Sequence, residues 1–156
     1  MDPETIKKII EEFLEKMTIP FISIEVKSAS EQSVIQQAPV VKVAIIVEDP
    51  KILIGQGGQT LFELQRILKI ILNKKLSQVF YLDIDINDYK AKKEEYLKNL
   101  AHETAKEVFL TKKIKTLPPM LAYERRIVHQ ELQKIDDVIS KSEGEGLDRK
   151  IVIMPK

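Results

Sequence analysis

Three of the chain's five glycines fall in one run, Gly55-Gln56-Gly57-Gly58, and helical periodicity stands on both sides of it. Glycine costs roughly 1 kcal/mol against alanine inside a helix and opens backbone conformations closed to other residues, so the chain is expected to turn here. Before the run, Asp49-Pro50-Lys51-Ile52-Leu53-Ile54 reads as a short helix, with Asp49 as cap and Pro50 at the first helical position. After it, Leu61, Leu64, Ile67, Leu68, Ile71 and Leu72 recur at three and four residues, predicting a long helix that ends near Asn73. The flanking segments switch to a period of two. Phe21 to Val26 and Val40 to Glu48 read as strands ahead of the turn, and Phe80 to Ile86 as a strand after it. The polar stretch Lys27 to Ala38 reads as a hairpin or an excursion between the first two strands. An amphipathic helix over Asp2 to Met17, carrying Ile6, Ile9, Ile10, Phe13 and Leu14, precedes them and stops before Pro20. The order is helix, strand, strand, short helix, glycine turn, long helix, strand, a complete small α+β unit over residues 1–86.

A second unit is expected over residues 87–156. Asn87-Asp88 reads as the cap of another long helix, with Tyr89, Tyr96, Leu97, Leu100, Ala101, Thr104 and Val108 as its apolar stripe. Ile114 to Leu117 is a brief extended segment. Pro118-Pro119 breaks it and starts a helix from about Met120 to Gln133, after which Val138 to Ser140 and Arg149 to Met154 read as strands joined by a glycine-bearing loop. The fold class is therefore α+β, with two small domains in tandem, and 156 residues suffice for both.

Composition narrows the chemistry. With no cysteine and only two histidines, His102 and His129, neither a disulfide framework nor a thiolate zinc site is expected. The N-terminus is acidic, and the longest apolar run, Val43 to Val47, is too short to span a bilayer. A cytoplasmic protein without a signal peptide is expected. The net charge of +1 is unevenly placed: residues 1–87 hold 10 Lys and Arg against 12 Asp and Glu, and residues 88–156 hold 15 against 12. Any affinity for a polyanion must come from local patches, because phosphate neutralisation dominates non-specific nucleic-acid binding.

The glycine run offers one such locus without charge. Lacking Cβ atoms, Gly55, Gly57 and Gly58 let a sugar-phosphate chain approach, the N–H groups opening the next helix favour an anion, and Ile54 and Leu61 with the neighbouring strand offer an apolar surface to unstacked bases. A bare helix-to-helix turn would need the same glycines. A dinucleotide fingerprint fails because Thr60 stands where its third glycine belongs, and a P-loop fails because no Gly-Lys-Ser/Thr follows. No cofactor is expected.

The second locus is Tyr123-Glu124-Arg125-Arg126-Ile127-Val128-His129, where Arg125 and His129 are four apart and share a helix face beside an apolar stripe of Leu121, Val128 and Leu132. Such a pair grips phosphate through the guanidinium fork with the imidazole beside it, or is merely a solvated arginine and a hydrogen-bonded histidine. Glu143-Gly144-Glu145 has no third ligand at metal-like spacing and reads as a solvated hairpin turn, so no metal is expected. His102 reads as an exposed or core-edge histidine without a role. Asp83 and Asp85 share the solvent face of their strand with Tyr81.

The placement of the glycine run between two helices, strands before and after, resembles a KH domain of the bacterial type (type II), with a three-stranded sheet, over about Asp2 to Ile86. In such domains this loop clamps about four nucleotides of backbone. The resemblance implies contacts from Ile54 through Gln59, namely Ile54, Gly55, Gln56, Gly57, Gly58 and Gln59. The family often carries Lys or Arg inside the loop where Gln56 and Gly57 stand here, leaving Lys51, Arg66 and Lys69 as the nearest cations. Pro119 to His129, together with Ser142 to Ile153, resembles the C-terminal Arg-x-x-x-His domain of the Jag family, also called KhpB or the SpoIIIJ-associated family, in which helices lie on a three-stranded sheet. By position, Arg125 and His129 are the signature pair, with Arg126, Arg149 and Lys150 as phosphate contacts. Family members commonly carry an N-terminal Jag domain and a charged linker that these residues lack.

The resemblance implies a protein that binds single-stranded RNA with low sequence specificity, a post-transcriptional regulator or RNA chaperone linked to cell elongation and division. It also implies pairing with a small single-KH partner, KhpA, or a homodimer. An adaptor of the membrane insertase or cell-division machinery, with RNA binding incidental, is the alternative that the near-neutral charge keeps open. A hydrolase is not expected, since no nucleophile, carboxylate partner or metal set accompanies Arg125 and His129.

Overall fold

The structure, a computed structural model, describes residues 2–28 and 39–156. The chain divides into two compact units, Met1–Lys90 and Ala91–Lys156. The sequence places the boundary at residues 86–87, four residues earlier.

In the first unit, α1 (Pro3–Lys16) is opened by Asp2, whose carboxylate accepts from the N–H groups of Glu4 and Thr5 at 3.2 and 3.1 Å. These are donors that the first helical turn leaves unpaired. The helix buries Ile6, Ile10 and Leu14. Strands β1 (Ser23–Ser28), β2 (Val40–Ile46) and β3 (Tyr81–Ile86) form a sheet in the order β1-β2-β3, antiparallel between β1 and β2 and parallel between β2 and β3. The parallel step requires a crossover, supplied by α2 (Lys51–Ile54), a single 3-10 turn over Gln56–Gly58, and α3 (Gln59–Leu76). Val41, Val43 and Ile45 of β2, Leu82, Ile84 and Ile86 of β3, and Leu61, Leu64, Leu68 and Leu72 of α3 meet in one core around Phe80. Two of the expected caps differ. Asp49 does accept from the Lys51 N–H at 3.2 Å, but Pro50 lies at the cap position and the helix starts one residue later. Asn87 and Asp88 both have positive φ, and it is Asp85 that accepts from the Lys90 N–H at 3.1 Å. Asn87 instead extends the sheet: its amide accepts from the Val47 N–H at 3.0 Å and donates to the Val47 carbonyl at 2.9 Å. Strand β1 runs two residues later than the alternation indicated, and most of the expected excursion after it lies outside the described residues.

In the second unit, α4 (Tyr89–Thr111, whose first two residues belong to the first unit) presents Leu97, Ala101, Ala105 and Val108 to a core shared with Leu117, Val128, Leu132, Val138, Ile151 and Ile153. Tyr96, expected in that stripe, is 56% exposed and lies under the Lys93 ammonium. Strands β4 (Lys115–Thr116), β5 (Val138–Glu143) and β6 (Lys150–Pro155) form an antiparallel sheet in the order β4-β6-β5, and α5 (Ala122–Leu132) packs against β5. Both units are mixed α and β, each with its own three-stranded sheet.

Candidate nucleic-acid interface

Helix α5 carries two glutamates and two arginines, and the fold separates them by sign. Glu124 and Glu131 face inward and are only 1% and 7% exposed. Buried carboxylates need partners, and both have them. Glu124 accepts from the Leu121 N–H at 2.8 Å, closing the N-terminus of the helix, and pairs with Lys93 of α4 at 3.4 Å. Glu131 pairs with Lys134 at 2.6 Å and with His102 at 3.2 Å. These partners, Lys134 first, hold the Glu131 carboxyl below the usual carboxylate range. His102 therefore has a structural role that its position in a charged helix did not announce.

The outward face of α5 is left without carboxylates. Its residues fall on two rows four apart, Ala122-Arg126-Gln130 and Arg125-His129-Gln133, which together with Ser140 of β5 line an open depression of about 630 Å3. None of these seven residues is acidic. Arg125 donates to the Met120 carbonyl at 2.7 Å, and the Met120 N–H donates to the Arg149 carbonyl at 3.2 Å, so one residue ties the guanidinium to the start of β6. The His129 Nδ1 lies 2.8 Å from the Ser140 hydroxyl. Burial, reinforced by the Arg125 charge, pushes the His129 pKa down, so the ring is neutral near neutral pH and Nε2 is its second polar atom. Two residues further along β5, Ser142 accepts from Arg149 Nε at 2.9 Å. The face offers a fixed guanidinium, a second exposed one at Arg126, and an oriented neutral imidazole, a donor set suited to phosphate oxygens.

The sequence anticipated Arg125, Arg126 and His129, and the structure brings them together. Lys150 stands opposite Glu143 in the register of the β5–β6 hairpin and does not line the depression. Missed were Gln130 and Gln133, which one more turn of the same helical spacing identifies, and Ser140 and Ser142, whose contacts with His129 and Arg149 arise only when β5 packs beside α5.

The glycine turn is built differently. A Cβ on Gly55 would fall 2.0 Å from the Thr60 hydroxyl oxygen, and one on Gly58 would fall 3.0 Å from that of Tyr89. Both positions have positive φ, so the turn itself requires these two glycines. Gly57 also has positive φ, but a Cβ there would meet nothing within 4 Å, and with Gln56 it is exposed. Gly58 caps α3 in a left-handed conformation; among the described residues no side chain caps that helix, and its first N–H, that of Gln59, donates to the Gln56 carbonyl of the preceding 3-10 turn. Leu61 is 3% exposed and belongs to the core, so it cannot serve as the contact surface expected of it; Ile54 is half-buried, while Ile52 and Phe62 are exposed. Arg66 is paired with Glu63 at 3.2 Å, and Lys69 lies over the Tyr81 ring at 4.6 Å. At 1.5 Å per residue, Lys69 stands about 15 Å along α3 from the turn.

Residues 95–155 match the R-three-H domain, the class named for an arginine and a histidine separated by three residues, as Arg125 and His129 are here. The chain is 38% identical over 109 residues to the RNA-binding protein KhpB of Clostridium symbiosum, an alignment covering 70% of this chain and 49% of that protein. It is 32% identical over 143 residues to the RNA-binding protein KhpB of Bacillus subtilis, covering 90% of this chain and 69% of that one. A third relative of the same name, from Lactiplantibacillus plantarum, is 34% identical over 102 residues, 65% of this chain and 32% of the relative. The chain belongs to the KhpB, or Jag, family. It spans about half the length of the Clostridium symbiosum relative. Among the described residues no helix is long and apolar enough to cross a membrane.

Proposed function

We propose that this chain binds single-stranded RNA with low sequence specificity through two modules in tandem, and that it does so without catalysis. The observation that carries the reading is the α5 face, where Arg125, Arg126 and a neutral His129 line an open depression that has no acidic residue among those lining it, while the helix's own glutamates are buried. The relatives' name, RNA-binding protein KhpB, supports the same ligand and does not favour the adaptor alternative.

In this reading residues 1–86 form a KH domain of the bacterial type and residues 87–156 the Arg-x-x-x-His domain. The element order of the first unit and the glycine turn between two helices support the first assignment. RNA backbone lies against Gly57 and the uncapped start of α3, with Ile54, Gly55, Gln56, Gly58 and Gln59 around it. Arg125, Arg126, His129 and Arg149 hold phosphates in the second unit, and Lys150 and Arg66 contribute charge at longer range. Two weak sites on one chain raise apparent affinity through effective concentration. The protein works in the cytoplasm as a post-transcriptional regulator or RNA chaperone, alone as a homodimer or with a KhpA-like single-KH partner. The test is titration of a short, unstructured labelled RNA at two salt concentrations with wild type, Gly57→Asp and Arg125→Ala. Salt-sensitive binding, weakened in both folded variants, is expected; folded wild type that binds no RNA overturns the reading.

A further inference from the structure

The depression on α5 ends at Ser140, yet the row of fixed donors does not. Side chains two apart on a strand point to the same side, so Ser140 and Ser142 of β5 face the same way, about 6.7 Å apart. Each hydroxyl holds one donor group of the site: Ser140 meets the His129 ring at 2.8 Å, and Ser142 accepts from Arg149 Nε at 2.9 Å. Among the described residues Arg149 has no carboxylate ion-pair partner, and the Nε bond leaves both terminal nitrogens of its fork to an incoming anion. Beyond Arg149 the sign reverses, for the turn between β5 and β6 carries Glu143, Glu145 and Asp148, all exposed.

We propose that β5 makes the second unit a two-phosphate track, with consecutive phosphates of a single strand seated first at Arg125, His129 and Ser140, then at Ser142 and Arg149. The proposal rests on the RNA reading of the α5 face and adds its length and direction. One strand repeat of two residues matches a single step between consecutive phosphates of an extended sugar-phosphate backbone. The acidic turn closes the track after the second phosphate. No base edge is read, so this unit is indifferent to sequence; a single strand, free to extend along β5, follows the track, whereas a duplex holds its phosphates on a curved path.

The experiment measures binding of the whole chain to labelled octauridylate across a range of salt concentrations, for wild type, Arg125→Ala, Arg149→Ala, Arg149→Lys and Ser142→Ala. Each phosphate contact on a single strand contributes about 0.7 to the slope of log affinity against log salt. Arg149→Ala is expected to lower the slope by about 0.7, Arg149→Lys to restore it, and Ser142→Ala to keep the slope while weakening binding roughly two- to tenfold, as loss of one hydrogen bond does. A slope lowered by Arg125→Ala but untouched by Arg149→Ala overturns the second step and leaves the RNA reading standing. Absence of salt-dependent binding by wild type overturns both. Equal affinity of wild type for octauridylate and for a blunt duplex of the same length overturns the single-strand track.

Discussion

In the proposed function the glycine turn and the α5 face approach a sugar-phosphate chain by opposite means. At the turn, Gly55 and Gly58 shape the backbone, Gly57 stands open to solvent, and the proposed donors are backbone N–H groups rather than side chains, in a half of the chain where acids outnumber bases. On α5 the donors are side chains, and their effect depends on where the carboxylates of the same helix went. Backbone donors are insensitive to most substitutions but collapse when the turn cannot form. Side-chain donors can be removed one at a time, and their field is screened by salt.

The largest effect is expected at the turn. Gly55→Ala places a methyl group 2.0 Å from the Thr60 oxygen at a φ, ψ pair that only glycine adopts readily, and should cost roughly 3 kcal/mol in urea unfolding. Gly57→Ala, with open space around it, should cost roughly 1 kcal/mol. Equal costs would mean that the turn is not shaped by Gly55. Next is Glu124→Ala, which strands the Leu121 N–H and Lys93 and should lower stability by about 2 kcal/mol. If stability is unchanged, the burial of acid behind the basic face is incidental.

The sequence made the two units legible through periodicity: among the described residues, the switch from a spacing of two to one of three and four, and back, located the α-helices and strands in order. It erred where a local pattern had two physical uses. Asn87-Asp88 looks like a helix cap, but an asparagine amide also mimics a peptide, and here it completes the β2–β3 edge. Leu61 follows a glycine turn and so looked available to a ligand, yet it lies on the same face as Leu64 and Leu68 and is buried with them. Of the α5 site, the spacing of Arg125 and His129 was visible. The fate of Glu124 and Glu131 was not, since helical position fixes the face of a residue but not whether Lys93, His102 and Lys134 will be present to receive it. Ser140 and Ser142 gave no signal, because alternating serines on a strand are equally the mark of a solvated surface.

Smaller effects sharpen the contrast. Arg125→Ala should weaken RNA binding about tenfold, equivalent to roughly 1.4 kcal/mol, while shifting the melting temperature little, as a salt-dependent anisotropy titration and a thermal melt would reveal. Early melting with unchanged affinity would assign Arg125 to structure alone. The smallest effect is that of His129. Its pKa is lowered by burial and then by Arg125, so the folded state resists its protonation. Stability from this residue is complete above the unfolded value of about 6.5 and declines as pH falls through the lowered folded value. Affinity for a phosphate should rise over the same descent. Thermal melts and RNA titrations between pH 5 and 7.5 (the range in which a histidine titrates, roughly) should show both trends in wild type and neither in His129→Gln, with His102 common to both proteins.

The most direct measurement is amide and arginine side-chain NMR of the whole chain bound to a short oligouridylate, followed as salt is raised. Perturbations at Arg125, Arg126 and Arg149 should fade first, while those at Gly57, Gly58 and Gln59 persist to higher salt. Contacts that fade together, or a glycine turn that releases RNA before the arginines do, would contradict the division of labour between backbone and charge.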